Sequence, residues 1–103
     1  MDNTINTELD AAVFKRLLSH LQQHTEAQNI DLMIVADFCR NCLAKWYVEA
    51  AQERHVALDY EQAREMVYGM PYAQWKDQFQ LPATAEQLAI YEQRQQAKQN
   101  ATH

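Results

Sequence analysis

Two thiols three residues apart are the side chains best equipped for chemistry: Cys39 and Cys42, in the run Phe38-Cys39-Arg40-Asn41-Cys42-Leu43. A Cys-x-x-Cys pair serves two chemistries. As thiolates the sulfurs bind a metal such as zinc or iron, and as a dithiol they exchange with a disulfide. Each chemistry sets a condition. Redox pairs gain reactivity from a helix N-terminus that stabilises the thiolate. Structural zinc takes four ligands, usually with a second pair, and the sequence has no second Cys-x-x-Cys. Helical periodicity places Cys39 well inside a long helix, on an apolar face between Val35 and Trp46, where the field of a helix terminus has faded. Buried cysteine behaves as a small hydrophobe. Core packing is therefore the preferred reading of the pair, with a zinc, iron or redox site as the alternative. A symmetric dimer that joined two such pairs would complete a four-thiolate set.

The other chemical candidates are less specific. His20 and His24 have the i, i+4 spacing that can grip one metal ion, but they lack the glutamate of an H-E-x-x-H pattern and read as flank residues of an apolar stripe. His55 and His103 read as loop and tail. Glu49 lies at the edge of the Phe38 and Cys42 face, with Glu53 one turn on, and a partly buried carboxylate needs a partner. Arg64, or the hydroxyl of Tyr47 or Tyr68, could supply it. A salt bridge between two helices is preferred over an acid/base group beside a cysteine nucleophile. Arg40, Asn41 and Lys45 fall on the polar side, as a solvated face or a partner-binding patch. Trp46, Tyr47, Tyr68, Tyr72, Trp75 and Phe79 supply core, with a surplus of rings for a groove or dimer interface. The candidate cleft or interface thus comprises Arg40, Asn41, Trp46, Tyr47, Glu49, Arg64, Tyr68, Tyr72 and Trp75. No complete catalytic constellation is present, so enzymatic activity is not expected.

The elements that must position these residues are helices. The 103 residues contain one glycine and two prolines, too few turn formers for a β-rich fold. The length suits a single domain, with an ordered core over about residues 7–91 and a frayed polar tail over 92–103. A net charge of −5 argues against nonspecific nucleic-acid binding. No apolar run is long enough to cross a bilayer. The polar, acidic N-terminus Met1-Asp2-Asn3-Thr4 points to a cytoplasmic protein with reduced cysteines. The first helix is expected from Thr7 or Glu8 to His24, with Val13, Phe14, Leu17, Leu18 and Leu21 facing inward. The second runs from Ile30 to Arg54, capped by Asn29 or Asp31. Asp59 and Gln62 form a capping box for the third, which ends at Gly69 in a left-handed conformation. Pro71 opens the fourth, with Tyr72, Trp75 and Phe79 on one stripe. Thr84 and Gln87 cap the fifth, anchored by Leu88 and Tyr91. The expected fold is an all-α irregular or orthogonal bundle of four to five helices around a central second helix.

Three segments carry a resemblance to a known family: Gln28-Asn29-Ile30-Asp31-Leu32-Met33, Phe38 through Tyr47, and Ala63 through Tyr72 with Trp75-Lys76. Together they resemble the bacterial DUF1244 family of short proteins over most of residues 14–90. The resemblance implies a small all-α fold and carries no activity with it. With a surplus of aromatics and no complete catalytic constellation, the chain is expected to be a noncatalytic interaction or regulatory module that self-associates, as a dimer.

Overall fold

The helical elements form as expected, with one break that changes the site. The computed structural model describes residues 3–101, and His103 lies outside them. Among the described residues six helices follow in order: α1 Asn3–Gln23, α2 Asn29–Ala36, α3 Arg40–Glu53, α4 Tyr60–Tyr68, α5 Tyr72–Phe79 and α6 Ala85–Ala101. No strand occurs among the described residues, and no helix there is long and apolar enough to cross a membrane. The count exceeds the expected four to five because the long second helix is two helices. Asp37 adopts the left-handed conformation, with φ of 56°, and its N–H closes on the Met33 carbonyl to end α2. Aspartate is among the few residues that enter this region readily. Its carboxylate meets Lys98 Nζ of α6 at 3.0 Å. Cys39 is then extended, and the helix restarts.

The break shifts the helical phase, so the single apolar face expected from Leu32 to Ala50 does not exist. Val35 is 82% exposed and Trp46 53%. The core instead gathers Leu18 and Leu21 of α1, Leu43 and Ala44 of α3, Ala63, Val67 and Tyr68 of α4, and Trp75 of α5. The paired α3 and α4 take the central place expected of one long helix.

Local signals elsewhere act as expected. The Asp59 carboxylate accepts from the Gln62 N–H at 2.8 Å, and the Gln62 side chain accepts from the Asp59 N–H at 3.0 Å. Thr84 and Gln87 repeat this reciprocal pair ahead of α6. Gly69 ends α4 with φ of 76°, and Pro71 caps α5. Helix α6 continues to Ala101, through the stretch expected to fray. It packs on α2, joined by a Gln87 to Asp31 hydrogen bond of 2.8 Å. Helix α1 starts earlier than expected, and its apolar residues divide. Leu18 and Leu21 are buried, Phe14 is half-buried, and Val13 and Leu17 face solvent.

Candidate functional site

Arg40 lies at the centre of the site, where the sequence placed a residue of a solvated face or partner-binding patch. The restart at Cys39 makes Arg40 the first residue of α3 and turns its side chain beneath the end of α1. It is 1% exposed. Nη2 donates to the carbonyls of Leu21 and His24 at 3.3 and 3.0 Å. Nη1 donates to the Ala27 carbonyl at 2.7 Å and to Asn29 Oδ1 at 3.1 Å. A helix C-terminus leaves its last carbonyls without intrahelical donors, and the planar guanidinium supplies several at once. The guanidinium also stacks on Trp75, 4.9 Å from the ring centre. These hydrogen-bond acceptors are all neutral oxygens. Burial lowers the pKa of Arg40, and electrostatic interactions with Tyr68, Cys39 and Glu26 work against that shift.

A polar network runs outward from Arg40. Asn29 accepts from Arg40 and donates through Nδ2 to the Tyr68 hydroxyl at 3.0 Å. Tyr68 donates to Asn41 Oδ1 at 2.7 Å. Burial holds the Tyr68 hydroxyl well above its ordinary pKa, against the opposing pull of the Asn29 hydrogen bond. Tyr72 and Trp75 pack their rings edge-on against Tyr68 at 5.3 and 5.0 Å. Gln28, also buried, donates to the Phe79 carbonyl and accepts from the Leu81 N–H, both at 3.0 Å. Above the network lies a groove of about 310 Å³, lined in part by Asn29, Asn41, Tyr72 and Gln80.

The thiols stand beside this network, and their helix position reverses the expectation. Cys39 is the N-cap of α3, not an interior residue, and Cys42 lies in the first turn. Their sulfurs are 3.9 Å apart. Cys39 is buried and Cys42 half-buried. Burial raises the Cys39 pKa, opposed by the backbone N–H groups of Cys42 and Asn41. No cluster of three or more histidine, cysteine or acidic side chains that could hold a metal occurs among the described residues. His20 and His24 have ring centres 4.3 Å apart, and His24 Nδ1 meets Glu26 at 2.8 Å.

Of the expected cleft residues, Arg40, Asn41, Tyr68, Tyr72 and Trp75 come together. Trp46 and Tyr47 belong to a different face. There they line an apolar depression of about 250 Å³ with Phe14, Leu43 and Ala50. Glu49 is exposed and does not bridge to Arg64. Arg64 instead pairs with Glu61, and its guanidinium lies over the rings of Tyr60 and Tyr72 at 4.6 and 4.0 Å. Sequence reasoning missed Asn29 and Gln28 as site residues. Their signal was a polar pair at the edge of an apolar helix, which also fits a simple cap.

A family model for DUF1244, described as a protein of unknown function, matches residues 27–93. The matched span contains Asn29, Arg40, Asn41, Tyr68 and Trp75 and both cysteines. No curated protein matches the chain.

Proposed function

The chain belongs to the DUF1244 family, and we propose that it works as a noncatalytic interaction module that self-associates through α1. The observation that carries this is surplus surface. The chain exposes 7576 Å², whereas a folded monomer of 12.1 kDa exposes about 6000 Å². The radius of gyration is 15.8 Å, against about 13 Å for a compact domain of this length. Part of the surplus is apolar and in register. Leu9, Val13 and Leu17 recur at i, i+4 and i+8 along α1, 48%, 69% and 39% exposed. Patches of this kind mark contact surfaces.

A second copy fits this stripe by charge. Glu8 and Asp10 occupy the first half of α1, and Lys15 and Arg16 the second. Two α1 helices packed antiparallel about a two-fold axis near Ala12 bring the acidic half of each alongside the basic half of its partner. A two-fold contact of this kind uses one patch twice. Reversing the acidic pair alone, with Glu8→Lys and Asp10→Lys, should weaken association in sedimentation velocity at micromolar concentration. Adding Lys15→Glu and Arg16→Glu to the same chain should restore it. Failure to restore would overturn the antiparallel arrangement. The module is proposed to act in the reducing cytoplasm, on protein rather than nucleic acid.

One feature supports a second reading, in which Cys39 and Cys42 hold zinc or iron. The pair sits at a helix start with its sulfurs 3.9 Å apart, and two thiolates are half of a tetrahedral set. This reading needs two chains per metal. Elemental analysis of protein purified without an affinity tag tests it: one metal per two chains, lost in Cys39→Ser, supports it, and metal-free protein removes it.

A further inference from the structure

The pair Cys39 and Cys42 has the geometry to close on itself. Inside a straight helix, residues three apart hold their Cβ atoms about 5–6 Å apart, whereas a disulfide takes about 3.5–4.5 Å. Here the first partner is not helical. Cys39 is an N-cap with φ of −145° and ψ of −179°, and its sulfur lies 3.9 Å from that of Cys42. A bond of about 2.05 Å asks the two sulfurs to close the remaining distance by rotation about the side-chain bonds. Their exposure differs: Cys39 is buried and Cys42 is half-buried.

We infer that Cys39 and Cys42 form a reversible dithiol–disulfide site whose substrate is a small soluble disulfide, with Cys42 as the entry thiol and Cys39 as the resolving thiol. The Cys42 thiolate attacks one sulfur of the small disulfide, forms a mixed disulfide and expels one small thiolate. Cys39 releases its proton to solvent, and its sulfur attacks Cys42 Sγ and expels the second small thiolate. The two expelled thiolates take up the two protons lost by the cysteines. In sum, two electrons pass from the protein dithiol to the small disulfide, which leaves as two thiols.

The order follows from position. An incoming disulfide reaches Cys42 without opening the core, while Cys39 is covered. Burial also keeps Cys39 protonated, which makes it a poor first attacker. The order is opposite to that of a pair whose first cysteine is the exposed one. Between the thiols lies Arg40, whose guanidinium caps α1. A bond across this turn therefore tightens the segment that positions the cap. Transient bonds of this type are the form disulfides usually take in a reducing compartment.

The test uses the full-length protein, its Cys39→Ser and Cys42→Ser variants, and glutathione disulfide as the probe. Products are trapped by acid and read by mass spectrometry, with circular dichroism to check that each variant is folded. The wild type should lose two hydrogens and retain no glutathione. Cys39→Ser should stop as a mixed disulfide bearing one glutathione on Cys42. Cys42→Ser should react about tenfold more slowly, because its remaining thiol is buried. Three results would overturn the inference. One is a wild type that reacts only after denaturation. Another is a Cys42→Ser variant that acquires glutathione as fast as Cys39→Ser. The third is bridging between chains rather than within one.

Discussion

Removing the Arg40 guanidinium would leave the Ala27 carbonyl without its donor and take one donor each from the Leu21 and His24 carbonyls, which keep the N–H groups of His24 and Ala27, and from Asn29 Oδ1, which keeps the Arg40 N–H. A hydrogen bond to a charged group is worth about 1.5–3 kcal/mol, and an acceptor left unpaired costs about 1–3 kcal/mol. Arg40→Ala should therefore destabilise the fold by more than about 3 kcal/mol in urea unfolding, and Arg40→Lys should recover little, since a point charge cannot replace the planar fork. Tyr68 gives a pH test. Burial raises its folded pKa above the ordinary 10.0, so the unfolded chain ionises first. The stability contributed by the neutral hydroxyl is complete below about pH 10 and is lost as pH rises towards the folded pKa. The denaturant midpoint of the wild type should fall above about pH 10, and that of Tyr68→Phe should fall less steeply; equal slopes would contradict the assignment. Neither residue's role was fully legible in the sequence. Tyr68 read correctly as aromatic core. Arg40 read as surface because its helix phase was counted through Asp37.

At the scale of the elements, legibility depended on how local the signal was. The Asp59–Gln62 and Thr84–Gln87 boxes and the Gly69 stop span a few residues each, and all three formed as expected. The break at Asp37 did not announce itself, because an aspartate within a helical pattern also fits its polar side; Lys98 of α6 meets the residue at the turn. Three substitutions separate these cases. A Cβ at Gly69 would lie 2.9 Å from Gln22 Cδ, and the Gln22 amide donates to the Val67 carbonyl at 3.2 Å. Gly69→Val should lower stability by more than about 1 kcal/mol, since a β-branched residue tolerates positive φ poorly. An unchanged midpoint would contradict this. Asp37→Gly keeps access to the left-handed region and loses only an exposed ion pair, so its midpoint should stay within about 0.5 kcal/mol of the wild type. Asp37→Val should lose about 1–2 kcal/mol. Equal effects of the two would mean that the backbone turn does not fix the α2–α3 joint.

At the scale of the whole molecule, the sequence carried the helical class and the surplus of apolar side chains, but not where the surplus lies. The expectation put it among the aromatics of one cleft. Tyr68 and Trp75 are buried in the core, whereas Leu9, Val13 and Leu17 of α1 are exposed in register and Trp46 is exposed on α3. Periodicity marks a stripe on α1 but not which part of it another helix covers. The C-terminal half of α1, from Phe14 on, meets the core, and in the proposed self-association the rest of the stripe packs on a partner. The central claim is that this partner is a second copy. Sedimentation equilibrium of the wild type beside Val13→Asp, both at micromolar concentration and with matching circular dichroism, tests it most directly. The account predicts twice the chain mass for the wild type and a single chain mass for the variant. A monomeric wild type, or a variant that associates as strongly as the wild type, would contradict it.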